Sequence, residues 1–252
     1  MGRALPPYSA SIFKISDEWV KNLKEQKKYI WFDLGYTLLH LKRDVSFQQI
    51  LQEMGVSLSA DEIEKAFHIT DKLFMREYPG VLGKKTGYAM PLYLGNMMYL
   101  LGVETDICPL FESWKRELEN PLDVWVPYDF VKEELRKLSD GGFRLGVISN
   151  WDSSARPILD LHGLTHFFDD IIISSEVGVE KPGVEIFERA FSQASVAPDE
   201  CLYIGDNYYD DGIGCTKVGM DFVIINPYGT LGVEELKDCS VLPDICHLGK
   251  FL

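Results

Sequence analysis

The chain is 252 residues long, 46% hydrophobic and 25% charged, with a formal net charge of −14. That length buries a sizeable core, and the acidic balance argues against a nucleic-acid or anionic-membrane surface, both of which call for a basic face. Five scattered cysteines without a CxxC pair read as reduced thiols of a cytoplasmic protein, and neither a leader nor a membrane span is expected.

Residues 1–27 read as an N-terminal extension, irregular at Pro6 and Pro7, with a short amphipathic helix near 16–24. The stretch Tyr29-Ile-Trp-Phe-Asp-Leu-Gly-Tyr-Thr-Leu-Leu39 then begins as a fully apolar strand that delivers the carboxylate of Asp33 into a tight turn. A buried strand ending in a carboxylate needs a cation there. Residues 45–121 look helical throughout. Ser59-Ala-Asp-Glu62 is a capping-box signature for a helix through Phe67 and Phe74, and Gly80, Gly83 and Gly87 break the chain. An apolar helix follows through Leu92, Met97, Met98 and Leu101, then another near 110–118 that stops before Pro121. The Met and aromatic stripe in this insert reads as its own core.

From about residue 124 strands and helices alternate. The expected strands are 143–149, 171–173, 201–204 and, last, 222–225; the helices between them end at Gly141-Gly142, Gly163, Ala194 and Gly219. Pro182 is expected in the first turn of the helix that ends at Ala194. Beyond Leu236 no element is legible. The pattern predicts an α/β fold: a doubly wound, mostly parallel sheet built from residues 28–44 and 122–252, interrupted by the α-helical insert 45–121.

The strand ends carry polar residues of distinct types: Asp33 with Thr37, Ser149 with Asn150, Lys181, and Asp206 with Asp211. In an open α/β sheet that is where ligands bind. Singly, each has an ordinary structural role available as a cap, a turn residue or a surface charge. His162 and His166 are set aside as a metal pair because Gly163 between them marks a helix end. Lys84, Lys85, Tyr88 and Arg76 read as solvated residues, as does Asp210.

Taken together, Phe32-Asp-Leu-Gly-Tyr-Thr-Leu38, Val147-Ile-Ser-Asn150, Val179-Glu-Lys-Pro182 and Ile204-Gly-Asp-Asn-Tyr-Tyr-Asp-Asp211 resemble the haloacid dehalogenase-like (HAD) hydrolase superfamily. The resemblance implies a Rossmann-type core and makes the insert a helical cap. It implies Asp33 as nucleophile, Thr37 as a positioning residue, and Mg2+ on Asp33, the backbone carbonyl of Gly35 and Asp206. Asp211 becomes a ligand or an orienter of metal-bound water. Ser149 and Lys181 become donors to a phosphoryl group, and Asn150 either touches the phosphate or caps the next helix. The implied substrate is a small phosphorylated molecule.

Many phosphatases of this superfamily carry an aspartate two residues after the nucleophile, as general acid and base. Here that place is Gly35, and such a group is worth about a hundred- to ten-thousand-fold. Three readings compete: a phosphatase with a substitute proton carrier (His40, Tyr36 or an insert residue) or a preference for good leaving groups; a metal-independent 2-haloacid dehalogenase; and a non-catalytic phosphate-binding protein. The intact Gly205-Asp206 pair speaks against the second, which wants no metal.

Overall fold

The computed structural model describes residues 26–82, 89–117, 120–237 and 239–250. The expected helix near 16–24, with Gly83, Lys84, Lys85, Gly87, Tyr88 and Leu118, lies outside them. Two compact units emerge: Leu41–Val124, and the described residues up to His40 together with those from Trp125 onward.

The second unit is built on a six-stranded sheet. Its strands are β1 (Tyr29–Phe32), β4 (Arg144–Ser149), β5 (Asp170–Ile173), β6 (Cys201–Gly205), β7 (Asp221–Ile225) and β8 (Ser240–Leu242), in the order β5-β4-β1-β6-β7-β8. The pairings are parallel. Because β1 is central and both faces are covered, all four of its residues are buried, which is why it reads as an unbroken apolar run. Tyr29 and Trp31 join Tyr203 and the Ile186, Phe187 and Ala190 face of a helix, while Ile30 and Phe32, on the opposite face, are as deeply buried. Each such large side chain contributes roughly 1.5–3 kcal/mol. The helices of this unit run over Val131–Asp140, Ala155–Leu161, Val184–Ala194 and Ile213–Val218.

The Leu41–Val124 unit is helical: α1 (Asp44–Glu53), α2 (Ala60–Glu77), α3 (Ala89–Leu101) and α4 (Ile107–Glu117). The capping box at Ser59 and Glu62 forms as expected. Met97, Met98, Phe47, Phe67 and Trp114 pack into this unit's own core. Within it Arg43 pairs with Asp71 at 2.6 Å, and Tyr93 Oη donates to the other Asp71 oxygen at 2.6 Å. That buried polar pair had no signature in the hydrophobic pattern.

Three short strands depart from expectation. β2 (Leu39–Leu41) and β3 (Trp125–Pro127) form a separate two-stranded ribbon, and β8 extends the main sheet where no element was read. Three residues are too few to show a period of two. Pro182 is not in a first helical turn: the helix starts at Val184 with Gly183 as its cap, because the backbone at Lys181 is tied elsewhere. The stretch after Asp206 is a π-type turn, Tyr208–Gly212, followed by the helix Ile213–Val218. Asp210 lies in that turn, half-buried rather than solvated; burial, partly opposed by Lys181, pushes its carboxyl up to about 6.

Candidate active site

The register fixes where the polar residues stand. Phe32 lies opposite Val147 of β4 and Ile204 of β6, so Asp33, Ser149 and Asp206 fall at or just past the carboxyl ends of three adjacent strands. The Asp33 amide extends the ladder by donating to Ile204 O at 2.8 Å. The chain order runs outward on both sides of β1, making its carboxyl end the switch point of the sheet.

Lys181 arrives from the loop between β5 and the Val184–Ala194 helix, its side chain 2% exposed. Its Nζ donates to Asp211 Oδ1 at 2.6 Å and to Tyr203 Oη at 2.8 Å, and lies 3.0 Å from Asp33 Oδ1. Tyr203 Oη in turn donates to Ile148 O at 2.7 Å. Burial alone would favour the neutral amine, but the Asp211 and Asp33 charges outweigh it and hold the ammonium pKa above its ordinary value. The loop is held by Asn150, whose Nδ2 donates to Lys181 O at 2.9 Å while its Oδ1 accepts the Lys181 N–H at 2.8 Å. Both ends of that amide are therefore engaged with Lys181 rather than capping the next helix.

Asp211 is completely buried and reaches the strand ends through the π-type turn. Its Oδ2 accepts the Asn207 N–H at 3.1 Å. Gly205 makes this approach feasible, since a Cβ there would lie 2.1 Å from Asp211 Oδ2. Burial raises the Asp211 carboxyl pKa; Lys181 opposes the rise and the neighbouring Asp33 and Asp206 add to it. Oxygens of Asp33, Asp206 and Asp211 lie within 4.8 Å of one another. Asp33 Oδ1 is buried, with the Lys181 ammonium 3.0 Å away. Three crowded carboxylates sharing one buried ammonium fit a hard divalent cation such as Mg2+, which takes oxygen ligands.

Thr37 is 1% exposed, and its Oγ1 also has no hydrogen-bond partner among the described residues. Ser149 is equally buried at the end of β4. The proposed proton carriers are placed differently from one another: the His40 ring stacks on Tyr128, and the Tyr36 ring meets Trp125 edge-on with centroids 5.5 Å apart. His162 Nε2 donates to the carbonyl of Trp125 at 2.9 Å, and His166 packs on Phe167.

Two participants escaped the sequence reading. Tyr203 sits in a strand where an aromatic reads as core, yet its hydroxyl holds Lys181. Trp125, on the short β3, stands with Trp151 against Gly35: a Cβ on that glycine would be 3.4 Å from Trp151 Cζ3 and 3.7 Å from Trp125 Cη2.

The comparisons with known proteins agree with this fold. Residues 30–225 match the haloacid dehalogenase-like hydrolase family, and the chain belongs to that family. It is similar to a glyceraldehyde 3-phosphate phosphatase of Methanothermobacter thermautotrophicus, 32% identical over 137 residues, or 50% of this chain and 58% of that protein. The match thus spans little more than half of the archaeal enzyme. It is also similar to the human haloacid dehalogenase-like hydrolase domain-containing protein 3, 26% identical over 88% of this chain and 92% of that one. Among solved structures, the magnesium-bound HAD-hydrolase YfnB of Bacillus subtilis shares the fold, with a TM-score of 0.62, 21% identity, and 90% and 99% of the two chains covered. Among the described residues no helix is long and apolar enough to cross a membrane.

Proposed function

We propose that the chain is a Mg2+-dependent phosphatase acting on a small phosphorylated metabolite in the cytoplasm, through an aspartyl-phosphate on Asp33. The observation that carries this reading is the convergence of Asp33, Asp206 and Asp211 beside the buried Lys181 at the switch point of the sheet. The archaeal relative named as a phosphatase and the magnesium-bound structural neighbour support it, and the five free cysteines suit a reducing compartment.

Asp33, the Gly35 carbonyl and Asp206 would hold the ion, with Asp211 as a further ligand or orienter; bound there, Mg2+ offsets the repulsion between carboxylate and phosphate dianion. Asp33 attacks phosphorus, the ester P–O bond breaks, and its electron pair departs with the leaving oxygen. Lys181 and the Ser149 hydroxyl supply donors for the charge on the phosphoryl oxygens, held in place before substrate arrives. Thr37 and Asn150 position the two loops that carry Asp33 and Lys181. The departed oxygen takes a proton from solvent. Water then attacks the phosphorus of the aspartyl-phosphate, Asp33 regains its carboxylate, one proton of the water leaves with the phosphate product and the other returns to solvent.

The test is phosphate release from a panel of small phosphomonoesters by the purified chain. Release that requires Mg2+ and stops in EDTA supports the reading. Halide release from a 2-haloacid in EDTA would reassign the protein as a dehalogenase. Binding of phosphate without turnover of any ester would make it a non-catalytic member.

A further inference from the structure

Gly35 leaves a gap in the chemistry, and the structure fills the space beside it with rings. Trp125 and Trp151 pack edge to face with centroids 4.7 Å apart, and their benzo edges face the place a Gly35 Cβ would take. Tyr36 adds a third ring edge-on to Trp125, from a left-handed backbone with φ 52°. That conformation costs a non-glycine residue roughly 1–2 kcal/mol.

The Trp125 backbone and the Trp151 indole are also pinned. The Trp125 carbonyl accepts from His162 Nε2 at 2.9 Å, and Trp151 Nε1 donates to Ser154 Oγ at 3.0 Å. The Trp151 backbone is held by one hydroxyl, its N–H donating to Ser174 Oγ at 3.1 Å while that hydroxyl donates to its carbonyl at 3.2 Å. All three residues are partly exposed rather than fully buried.

Gly35 is two residues from Asp33, and two residues of chain reach no further than about 7 Å. The carboxylates, Lys181 and Ser149 make up the charged side of the site, which suits the phosphoryl oxygens. The aromatic corner at Gly35 remains for the organic part of the ester. A polyhydroxylated or charged group there would lose water without gaining partners, whereas a flat ring gains contact. Gly35 itself offers no carboxyl to protonate a departing oxygen. An aryloxide needs that proton far less than an alkoxide, because its charge spreads into the ring.

We propose, on the reading that the protein is a phosphatase, that the Tyr36–Trp125–Trp151 corner selects aryl phosphates, esters whose leaving oxygen is attached directly to an aromatic ring. Asp33 displaces the aryloxide, which takes its proton from solvent after it departs. Trp125 and Trp151 are the specificity-determining residues, and His162 and Ser154 position them.

The test compares kcat/KM of the full chain for 1-naphthyl phosphate, glycerol 3-phosphate and acetyl phosphate, the last having a good leaving group without a ring. Naphthyl phosphate is expected to exceed glycerol 3-phosphate at least a hundred-fold, the order of a missing general acid. Trp125→Leu and Trp151→Leu are each expected to lower the naphthyl-to-acetyl ratio about three- to ten-fold, mainly through KM, with Trp→Phe at either place restoring most of it. Equal turnover of aryl and alkyl esters by the unmodified chain, or Leu variants that lower naphthyl and acetyl phosphate alike, overturns the inference and leaves the phosphatase reading standing. No turnover of acetyl or naphthyl phosphate overturns both. The ratio in the unmodified chain and the Phe variants decide the matter even if a Leu variant fails to fold.

Discussion

Replacing Lys181 by Met tests how the charges of the site are balanced. The Nζ removed is buried, 2.6 Å from one carboxylate and 3.0 Å from another, and a third carboxylate lies within the same small cluster. Methionine fills much of the volume, so the loss is chiefly electrostatic. Breaking a buried ion pair by removing one partner costs about 3–5 kcal/mol, because the stranded charge keeps its desolvation penalty. At about 2–4 °C per kcal/mol for a domain of this size, the melting temperature in EDTA should fall by roughly 6–20 °C. Saturating Mg2+ should return part of that loss, since a cation bound only by the folded state stabilises it by mass action. Scanning calorimetry of both proteins, with EDTA and with Mg2+, reads both effects. A loss below about 1 kcal/mol in EDTA would refute the claim that Lys181 compensates a crowded carboxylate cluster.

Gly205→Ala places a methyl group 2.1 Å from Asp211 Oδ2, so the carboxylate must move; denaturant unfolding should show a loss of about 1–3 kcal/mol, and calorimetric titration a weaker Mg2+ affinity. Unchanged values in both would mean that Asp211 has room the geometry denies it. Burial pushes the Cys201 thiol up to about 11 and Cys215 well above its ordinary value, whereas Cys108 is exposed. At pH 8 an alkylating reagent should therefore label Cys108 and spare Cys201 and Cys215 in the native protein, with Cys201 labelling rising toward pH 11; mass mapping checks this, and early labelling of Cys215 would contradict the packing.

The sheet was legible wherever a strand is central and long enough. β1, β4 and β6 are continuous apolar runs that stop at a polar residue, and the stopping residues Asp33, Ser149 and Asp206 stand side by side because the strands are adjacent and in register. Lys181 and Asp211 were marked by their places after expected strands and by the family resemblance of their motifs. What brings them in is local geometry that spacing does not encode: an Asn150 clamp on the Lys181 backbone and a π-type turn carrying Asp211. Tyr203 was hidden because its ring is core and only its hydroxyl belongs to the site. Trp125 was hidden because a three-residue strand has no periodicity to read. Asp210 resembled a solvated helix residue only as long as the turn was taken for an ordinary helix.

The proposed mechanism makes Asp33 the nucleophile. Its most direct test is phosphate release by Asp33→Asn beside the unmodified chain, with saturating Mg2+ and an ester the latter hydrolyses. The substitution keeps the shape and removes the attacking charge, so the rate should fall at least about a thousand-fold while the melting temperature measured in EDTA stays close to that of the parent. Turnover within about ten-fold of the unmodified chain would place the chemistry on another residue and contradict the account.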